Sequence, residues 1–291
     1  MTRLLCATDL LPKSEAAIDR AALLAQELGA DLSLLHVVSP VSSERALEQS
    51  LQIAIARMKS RVRPPLWSGQ AMPNVIVRTG NPGRVILDTI AAEEPDLLII
   101  GPHRKRGIVD ALQGTIAEKA VSARKCPVLI VQEGASTPYR NVLLALDGAD
   151  ASRRAVRVAE QLVLRDAAQA TVIHACALLR HAVWHAAGGE AQAVTFSTDC
   201  SPNEATAAMR ELLARESTDP ARYALVVVDG TALPTIKRAV ESLRPDLLVM
   251  GTRGDGRMRR AVLGSVANQL SRMAPCDTLI VPQLSSGASD V

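Results

Sequence analysis

Residues 95–101 read Pro-Asp-Leu-Leu-Ile-Ile-Gly, and residues 245–251 repeat them 150 positions later as Pro-Asp-Leu-Leu-Val-Met-Gly. In each copy a further glycine and a hydroxyl residue stand just beyond this stretch, as Gly114-Thr115 and as Gly264-Ser265. Four apolar residues bounded by proline and glycine are typical of a buried strand, and a glycine with a hydroxyl residue often precedes a helix. The chain therefore carries the same strand–loop–helix element twice.

The duplication extends to the start of each copy. Residues 4–9 correspond to residues 142–147, and a serine follows each run five positions later, as Ser14 and Ser152. The spacing here is 138 rather than 150, which places an insertion of about 12 residues within the second copy. Copies of this length are typical of tandem domains rather than of a solenoid, whose repeats are shorter.

We therefore expect two domains, a first unit of residues 1–136 and a second unit of residues 137–291. The stretch between the copies, residues 133–139, contains glycine, serine, threonine and proline and is expected to be the linker.

Composition excludes several classes of protein. Aromatic residues make up 2% of the chain, so stacking of aromatic side chains on nucleic-acid bases is not expected. The formal net charge is +3, which is too small to predict a polyanionic partner. No apolar run reaches the roughly 18 residues needed to span a bilayer. Five cysteines without a Cys-x-x-Cys pair, and an N-terminus unlike a signal peptide, predict buried, reduced thiols and a cytoplasmic location.

Apolar runs of strand length alternate with helical patterns through both units. Near-continuous apolar strands are typical of a parallel sheet covered on both faces. We predict a Rossmann-like α/β fold in which each unit is a doubly wound parallel sheet of about five strands. Ligands of such folds bind beyond the carboxyl ends of the strands, where the strand order reverses. The first helices are expected to start at Ser14, as an N-cap, and at Ser152.

The repeated element of the second unit also has the composition of a phosphate site. Gly251 would let the chain turn without a Cβ in the cleft, and Gly254 would keep side-chain bulk away from an anion. Gly264 and Ser265 would open a helix whose free N–H groups and positive dipole end face that anion. The alternative is that these glycines only form turns and helix caps.

An aspartate after the first strand, together with Gly-x2-Gly-x9-Gly-(Ser/Thr) after a later strand, resembles the universal stress protein family. The likeness covers essentially the whole chain, twice. It implies the strand order 3-2-1-4-5 in each unit and adenine nucleotide binding. By this resemblance Asp147 and the backbone at Ala175 would hold adenosine, and the glycine loop would hold the phosphates. Read by itself, Asp147 is either an acceptor for a ribose or adenine donor, or a turn residue beside Gly148.

The first unit departs from this pattern at one position. Its matching positions would form a weak or vestigial site: Asp9, Val37, Gly101, Gly114 and Thr115. Arg104, however, stands where the second unit has Gly254. We expect the first unit to bind nucleotide weakly or not at all.

The chain shows no sign of a catalytic centre. It contains no nucleophile elbow, no Walker lysine and no His-Glu-x-x-His, so turnover has no support in the sequence and the question of an enzyme stays open. The favoured hypothesis is a cytoplasmic stress-response or signalling protein that binds ATP or a related adenine nucleotide, with Mg²⁺ as its counter-ion. The alternatives are a slow ATPase and a nucleotide-independent interaction module.

The partner expected is adenine nucleotide. A protein partner and assembly with further copies of the chain are left open. The two units are expected to pack about a pseudo-two-fold axis through their last strands, residues 128–131 and 278–281. Basic clusters at residues 103–106 and 253–260 would either neutralise phosphates or be solvated. His181 and His185 have metal-ligand spacing but no evident third ligand, so no metal site is predicted.

Overall fold

The computed structural model describes residues 1–40, 43–61, 72–102, 115–123, 125–132, 137–165, 168–176, 201–252 and 264–283. The first unit contains β1 (Arg3–Thr8), α1 (Pro12–Leu28), β2 (Asp31–Val38), α2 (Glu44–Arg61), β3 (Asn74–Thr79), α3 (Pro82–Glu93), β4 (Leu97–Ile100), α4 (Ile116–Ser122) and β5 (Val128–Ile130). The second contains β6 (Asn141–Ala145), α5 (Asp150–Leu162), β7 (Gln169–Cys176), α6 (Pro202–Glu216), a 3₁₀ turn (Pro220–Arg222), β8 (Tyr223–Asp229), α7 (Ala232–Leu243), β9 (Leu247–Gly251), α8 (Ser265–Met273) and β10 (Asp277–Val281).

The strands form one ten-stranded sheet in the order β3-β2-β1-β4-β5-β10-β9-β6-β7-β8. Within each half every pair is parallel, and the order 3-2-1-4-5 that the family resemblance implied is confirmed. The halves meet where β5 and β10 pair antiparallel, with Leu129 opposite Leu279. The expected contact through the last strands is therefore present, and it makes a single continuous sheet.

Apolar side chains from both faces of the sheet hold the helices. All four residues of β4 and all five of β10 are buried, as expected for central strands covered on both sides. One core cluster joins the sheet to α1, α2, α5 and α6, and a second joins its other face to α3, α4, α7 and α8. Each unit is thus doubly wound.

The start of the first helix differs from the prediction. The N-cap of α1 is Leu11, without a side-chain cap, and Pro12 is at the first helical position, which proline favours. Ser14 lies two residues further on, where its hydroxyl donates to Asp9 Oδ1 at 2.6 Å. The prediction that Ser14 is the N-cap was wrong, because the preceding proline starts the helix and the aspartate binds the hydroxyl. Helix α5 likewise begins at Asp150 rather than at Ser152.

The described cysteines, Cys6, Cys126, Cys176 and Cys276, are buried. Burial raises the pKa of the Cys6 and Cys126 thiols to about 12 and that of Cys276 to about 11. These thiols are protonated at neutral pH and are part of the core. Among the described helices, none combines the length and the apolar character that crossing a bilayer requires.

A buried polar network ties the linker to both units. Asp277 of β10 accepts hydrogen bonds from Tyr139 Oη at 2.7 Å and from the Gln132 amide at 2.8 Å. Arg20 of α1 places its Nε 3.3 Å from Asp277, lies over the Tyr139 ring at 3.8 Å, and donates to the Thr137 carbonyl. The charged side chains are 8% and 5% exposed. One arginine thus contacts the first unit, the linker and the second unit together.

Among the described residues, no equivalent of this network is formed by the matching positions on the other side of the pseudo-two-fold axis. The repeat spacing matches Arg20 to Val158, Tyr139 to Met1, and Asp277 to Pro127. Val158, Met1 and Pro127 line an open groove of about 810 Å³ between the units. Met1 is 91% exposed and does not fill it. The two junctions therefore differ, because Thr137 and Tyr139 take part in the first and Met1 leaves the second open.

Replacing Arg20 with methionine should lower the free energy of unfolding by about 3–5 kcal/mol, because Asp277 would be left buried without its countercharge. Burial already raises the pKa of Asp277, so the folded state binds the proton more tightly than the unfolded state. The loss in the variant should be largest at neutral pH and shrink as the pH falls and Asp277 becomes protonated. Urea titrations of wild type and variant, from neutral to acidic pH, measure this difference in the free energy of unfolding.

Arg84→Met is the matched control. Arg84 forms a 3.8 Å pair with Asp88 in which the side chains are 85% and 71% exposed, so its loss should cost at most about 1 kcal/mol. Equal losses in the two variants would contradict the role given to Arg20.

Candidate functional site

A cleft opens at the carboxyl ends of β9, β6 and β7, where the strand order of the second unit reverses. It is lined by Ala145, Leu146, Asp147, Ser152, Ile173, Ala175, Ala232, Ile236, Met250, Gly251, Gly264, Ser265, Val266 and Ala267. Five of the six residues predicted for the second-unit site are in this set, and Gly254 lies outside the described residues. Strand reversal points in parallel sheets are the usual place for ligands.

The enclosed volume is about 100 Å³, whereas small-molecule sites usually enclose about 300–1,000 Å³. This hollow would hold part of a nucleotide, and the remainder would lie outside it. Its wall combines apolar side chains, such as Ile173 and Ile236, with the backbone at Ala175 and Gly264. Asp147 is the one ionisable side chain among the described lining residues.

The carboxylate of Asp147 is held in a fixed position. Its Oδ1 accepts from the Ser152 hydroxyl at 2.6 Å and from the Ala149 amide at 3.1 Å. The Asp147 amide in turn donates to the Ser152 hydroxyl at 3.0 Å. Within the described part of the chain no donor reaches Oδ2. Asp147 is therefore a turn residue through Oδ1, and its role as an acceptor for a ligand through Oδ2 stays a prediction.

The start of α8 presents free amide groups to the same cleft. Gly264 is the N-cap and provides no side-chain cap, and the first intrahelical bond runs from the Asn268 amide to the Gly264 carbonyl at 2.8 Å. No acceptor among the described residues binds the amides of residues 265–267. The Ser265 hydroxyl is exposed and does not cap the helix. Free amides at a nine-residue helix start favour a negatively charged group.

Histidines hold the neighbouring strand ends together. His174 Nδ1 donates to the Leu146 carbonyl at 2.8 Å and so joins the end of β7 to the end of β6 beside Ala175. His36 makes the same 2.8 Å bond to the Thr8 carbonyl in the first unit. In the described residues no three His, Cys, Asp or Glu side chains cluster as metal ligands. His181, His185 and the basic clusters at residues 103–106 and 253–260 lie outside the described part.

Comparison with known proteins agrees with this architecture. A profile of the universal stress protein family matches residues 1–132 and again residues 138–282. The chain belongs to the universal stress protein family. The duplication that the sequence shows is therefore a duplication of this family's domain.

Relatives of one and of two units are similar to it. A universal stress protein of Thermus aquaticus is 29% identical over 124 residues, which is 41% of this chain and 89% of that protein. One of Mycobacterium bovis is 24% identical over 199 residues, 66% of this chain and 63% of that protein. The crystal structure of a universal stress protein from Archaeoglobus fulgidus has a TM-score of 0.70 and 18% identity, over 97% of this chain and 96% of that one. The last comparison shows the shared fold.

The first unit of this universal stress protein repeats the aspartate geometry but not the free helix start. Asp9 Oδ1 accepts from the Ser14 hydroxyl at 2.6 Å and from the Leu11 amide at 3.0 Å. Val37 and Gly101 lie at the ends of β2 and β4, as the repeat requires. Gly114 and Arg104 lie outside the described residues.

Helix α4 is capped by its own side chains. Thr115 Oγ1 accepts from the Glu118 amide at 3.0 Å, and the Thr115 amide donates to Glu118 Oε2 at 2.9 Å. The other carboxylate oxygen, Oε1, pairs with Arg272 of α8 in the second unit. The residue equivalent to Glu118 in α8 is the uncharged Asn268. The start of α4 thus holds a carboxylate already, which opposes an incoming anion.

Gly251 has a structural role that the sequence did not reveal. A Cβ at this position would lie 2.6 Å from the carbonyl carbon of Ala151 and 2.8 Å from the amide nitrogen of Ser152. Both atoms are backbone in the first turn of α5. The end of β9 therefore touches the helix start that holds Asp147, and only glycine allows that approach. The sequence pointed to Gly251 as a turn residue of the cleft but did not reveal its contact with α5.

Gly251→Ala should destabilise the protein by about 1–3 kcal/mol, because the backbone of α5 must move to admit the methyl group. Chemical denaturation measures the change. At Gly83 of α3 an added Cβ would meet its nearest neighbours at 3.5 Å, so Gly83→Ala should be neutral or stabilising by up to about 1 kcal/mol. A Gly251→Ala protein as stable as wild type would show that the backbones of α5 and β9 are not in close contact at this position.

Proposed function

We propose that this universal stress protein binds ATP or a related adenine nucleotide in the cleft of its second unit and acts as a stress-response or signalling binder. The observation that supports this proposal is that hydrogen-bond acceptors and donors line the same hollow. Asp147 Oδ2, which no described donor reaches, can accept hydrogen bonds, and the amides at the start of α8, which no described acceptor binds, can donate them. A nucleoside phosphate carries matching groups, hydroxyl or amino donors at one end and anionic oxygens at the other.

The nucleoside end would contact the Asp147 side of the cleft. A carboxylate oxygen without a partner forms strong hydrogen bonds to ribose hydroxyls or to an adenine amino group. The apolar side chains of Ile173 and Ile236 line the same wall and would cover a base. Backbone at Ala175 would supply the remaining polar contact, as in the family pattern.

The phosphate end would contact the start of α8. The described lining residues include no lysine or arginine; among them, the amides at residues 265–267 and the helix dipole would contact the phosphates. The Ser265 hydroxyl can donate one more hydrogen bond. A bound Mg²⁺ would neutralise the charge that these groups leave, and Gly254 would complete the loop.

We expect one nucleotide per chain. The first unit has the same Asp9 geometry, but its α4 start is occupied by the Glu118 carboxylate. Arg104 in place of the loop glycine adds to this difference. The first unit would then be retained for its part of the continuous sheet.

Two other functions remain as alternatives to test. A slow ATPase would need a group that activates water, and Asp147 is the one ionisable described side chain of the cleft, with Oδ1 engaged by Ser152. A nucleotide-independent interaction module would use the glycine loops only as turns. A cytoplasmic location, a protein partner and assembly beyond the single chain stay predictions from the sequence.

Calorimetric titration with Mg-ATP should give a stoichiometry of one. Asp147→Ala should weaken binding about 10- to 100-fold, because a hydrogen bond to a charged group is worth about 1.5–3 kcal/mol. The matched variant Asp9→Ala should bind like wild type. Two equal sites per chain would contradict the asymmetry, and no heat with ATP, ADP or AMP would contradict nucleotide binding altogether.

A phosphate-release assay separates the enzyme alternative. Binding without inorganic phosphate supports the binder, whereas release that disappears in Gly254→Asp would establish turnover in the second cleft.

A further inference from the structure

We infer that Ser152 is a positioning residue of the second-unit cleft, which holds the Asp147 carboxylate in the orientation that a ligand needs. This inference rests on the proposed function, because it concerns the same cleft. It adds a residue outside the glycine loop and outside the adenosine contacts that the family pattern implies.

The two residues form a closed pair of hydrogen bonds. The Ser152 hydroxyl donates to Asp147 Oδ1 at 2.6 Å and accepts from the Asp147 amide at 3.0 Å. Both the backbone and the side chain of Asp147 are therefore attached to one hydroxyl group. Rotation of the carboxylate about its side-chain bonds would break the shorter of these contacts.

Burial makes this attachment effective. Ser152 is 2% exposed, so water does not readily replace its hydroxyl, whereas Asp147 itself is exposed. An exposed aspartate without a buried partner would sample several rotamers, and a ligand would lose free energy by fixing one of them. Ser152 fixes the rotamer in advance and leaves Oδ2 for the ligand.

The position of Ser152 is itself determined by packing. Ser152 is the third residue of α5, whose N-cap is Ala149, so its hydroxyl is not the helix cap. The amide of Ser152 lies where a Cβ on Gly251 would come within 2.8 Å. The end of β9 thus limits the movement of the helix turn that carries the hydroxyl.

The first unit supplies a matched pair inside the same molecule. Ser14 is 8% exposed and donates to Asp9 Oδ1 at the same 2.6 Å. Removing either hydroxyl removes the same 2.6 Å hydrogen bond to an aspartate and should therefore cost stability in both units. Only the loss of Ser152 should affect nucleotide binding, since the first unit is not the binding unit.

The experiment measures ATP affinity and thermal unfolding for wild type, Ser14→Ala, Ser152→Ala, Asp147→Ala and the double variant Ser152→Ala/Asp147→Ala, each as the full chain. Ser152→Ala should weaken binding about tenfold, while Ser14→Ala leaves it within twofold. In the Asp147→Ala background, Ser152→Ala should have no further effect on affinity, because a residue that acts through Asp147 has nothing left to position.

The outcomes separate the two proposals. If wild type binds ATP and Asp147→Ala weakens it but Ser152→Ala does not, the positioning role is wrong and the proposed function stands. If the two substitutions weaken binding additively, Ser152 acts independently of Asp147 and the inference is also wrong. If wild type binds no adenine nucleotide, the proposed function is wrong and the positioning role falls with it. A stability loss shared by both serine variants, with an affinity loss in Ser152→Ala alone, supports the inference.

Discussion

The antiparallel hydrogen bonds between β5 and β10 hold the two units in one sheet. Each of these strands would otherwise be the unpaired edge of a five-stranded sheet, with buried apolar residues such as Leu129 and Leu279 exposed to solvent. Pairing them places both edges at the centre and leaves β3 and β8 at the outside. The continuous sheet then places α1 beside β10 and α4 beside α8 across the junction. The contacts that join the units, from Arg20 to Asp277 and from Arg272 to Glu118, depend on that alignment.

Duplication within one chain allows the equivalent positions to differ. In a symmetric pair of identical units, a side chain such as Arg20 would appear at both junctions. Here an arginine stands at one junction, where Arg20 contacts Tyr139 and Thr137, and the other junction has Val158 and an open groove. The same freedom affects the clefts, because a carboxylate caps α4 while the start of α8 has no side-chain cap.

The sequence was sufficient where structure depends on local pattern. The strand at residues 97–100 and the helix at residues 44–61 lie where the apolar runs and the helical spacing predict them. The repeat located the cleft because parallel strands of one sheet end on one edge. What the sequence could not reveal depends on contacts between distant residues. The Arg20–Asp277 pair joins positions 257 apart, and the reason for Gly251 is the backbone of Ala151. The wrong cap at Ser14 has a local origin instead, because Pro12 starts the helix and the Ser14 hydroxyl binds Asp9 five positions earlier.

Gly251 connects the two ends of the cleft. It is the last residue of β9, from which the glycine loop departs, and its missing side chain admits the first turn of α5. That turn contains Ser152, whose hydroxyl orients Asp147. The groups proposed for the nucleoside and the loop proposed for the phosphates therefore share one backbone contact. A movement of β9 relative to α5 would change the distance between them, and a ligand that bridges both would resist that movement. The contact is also joined to the rest of the sheet, since β9 pairs directly with β10 and β10 pairs with β5 of the first unit.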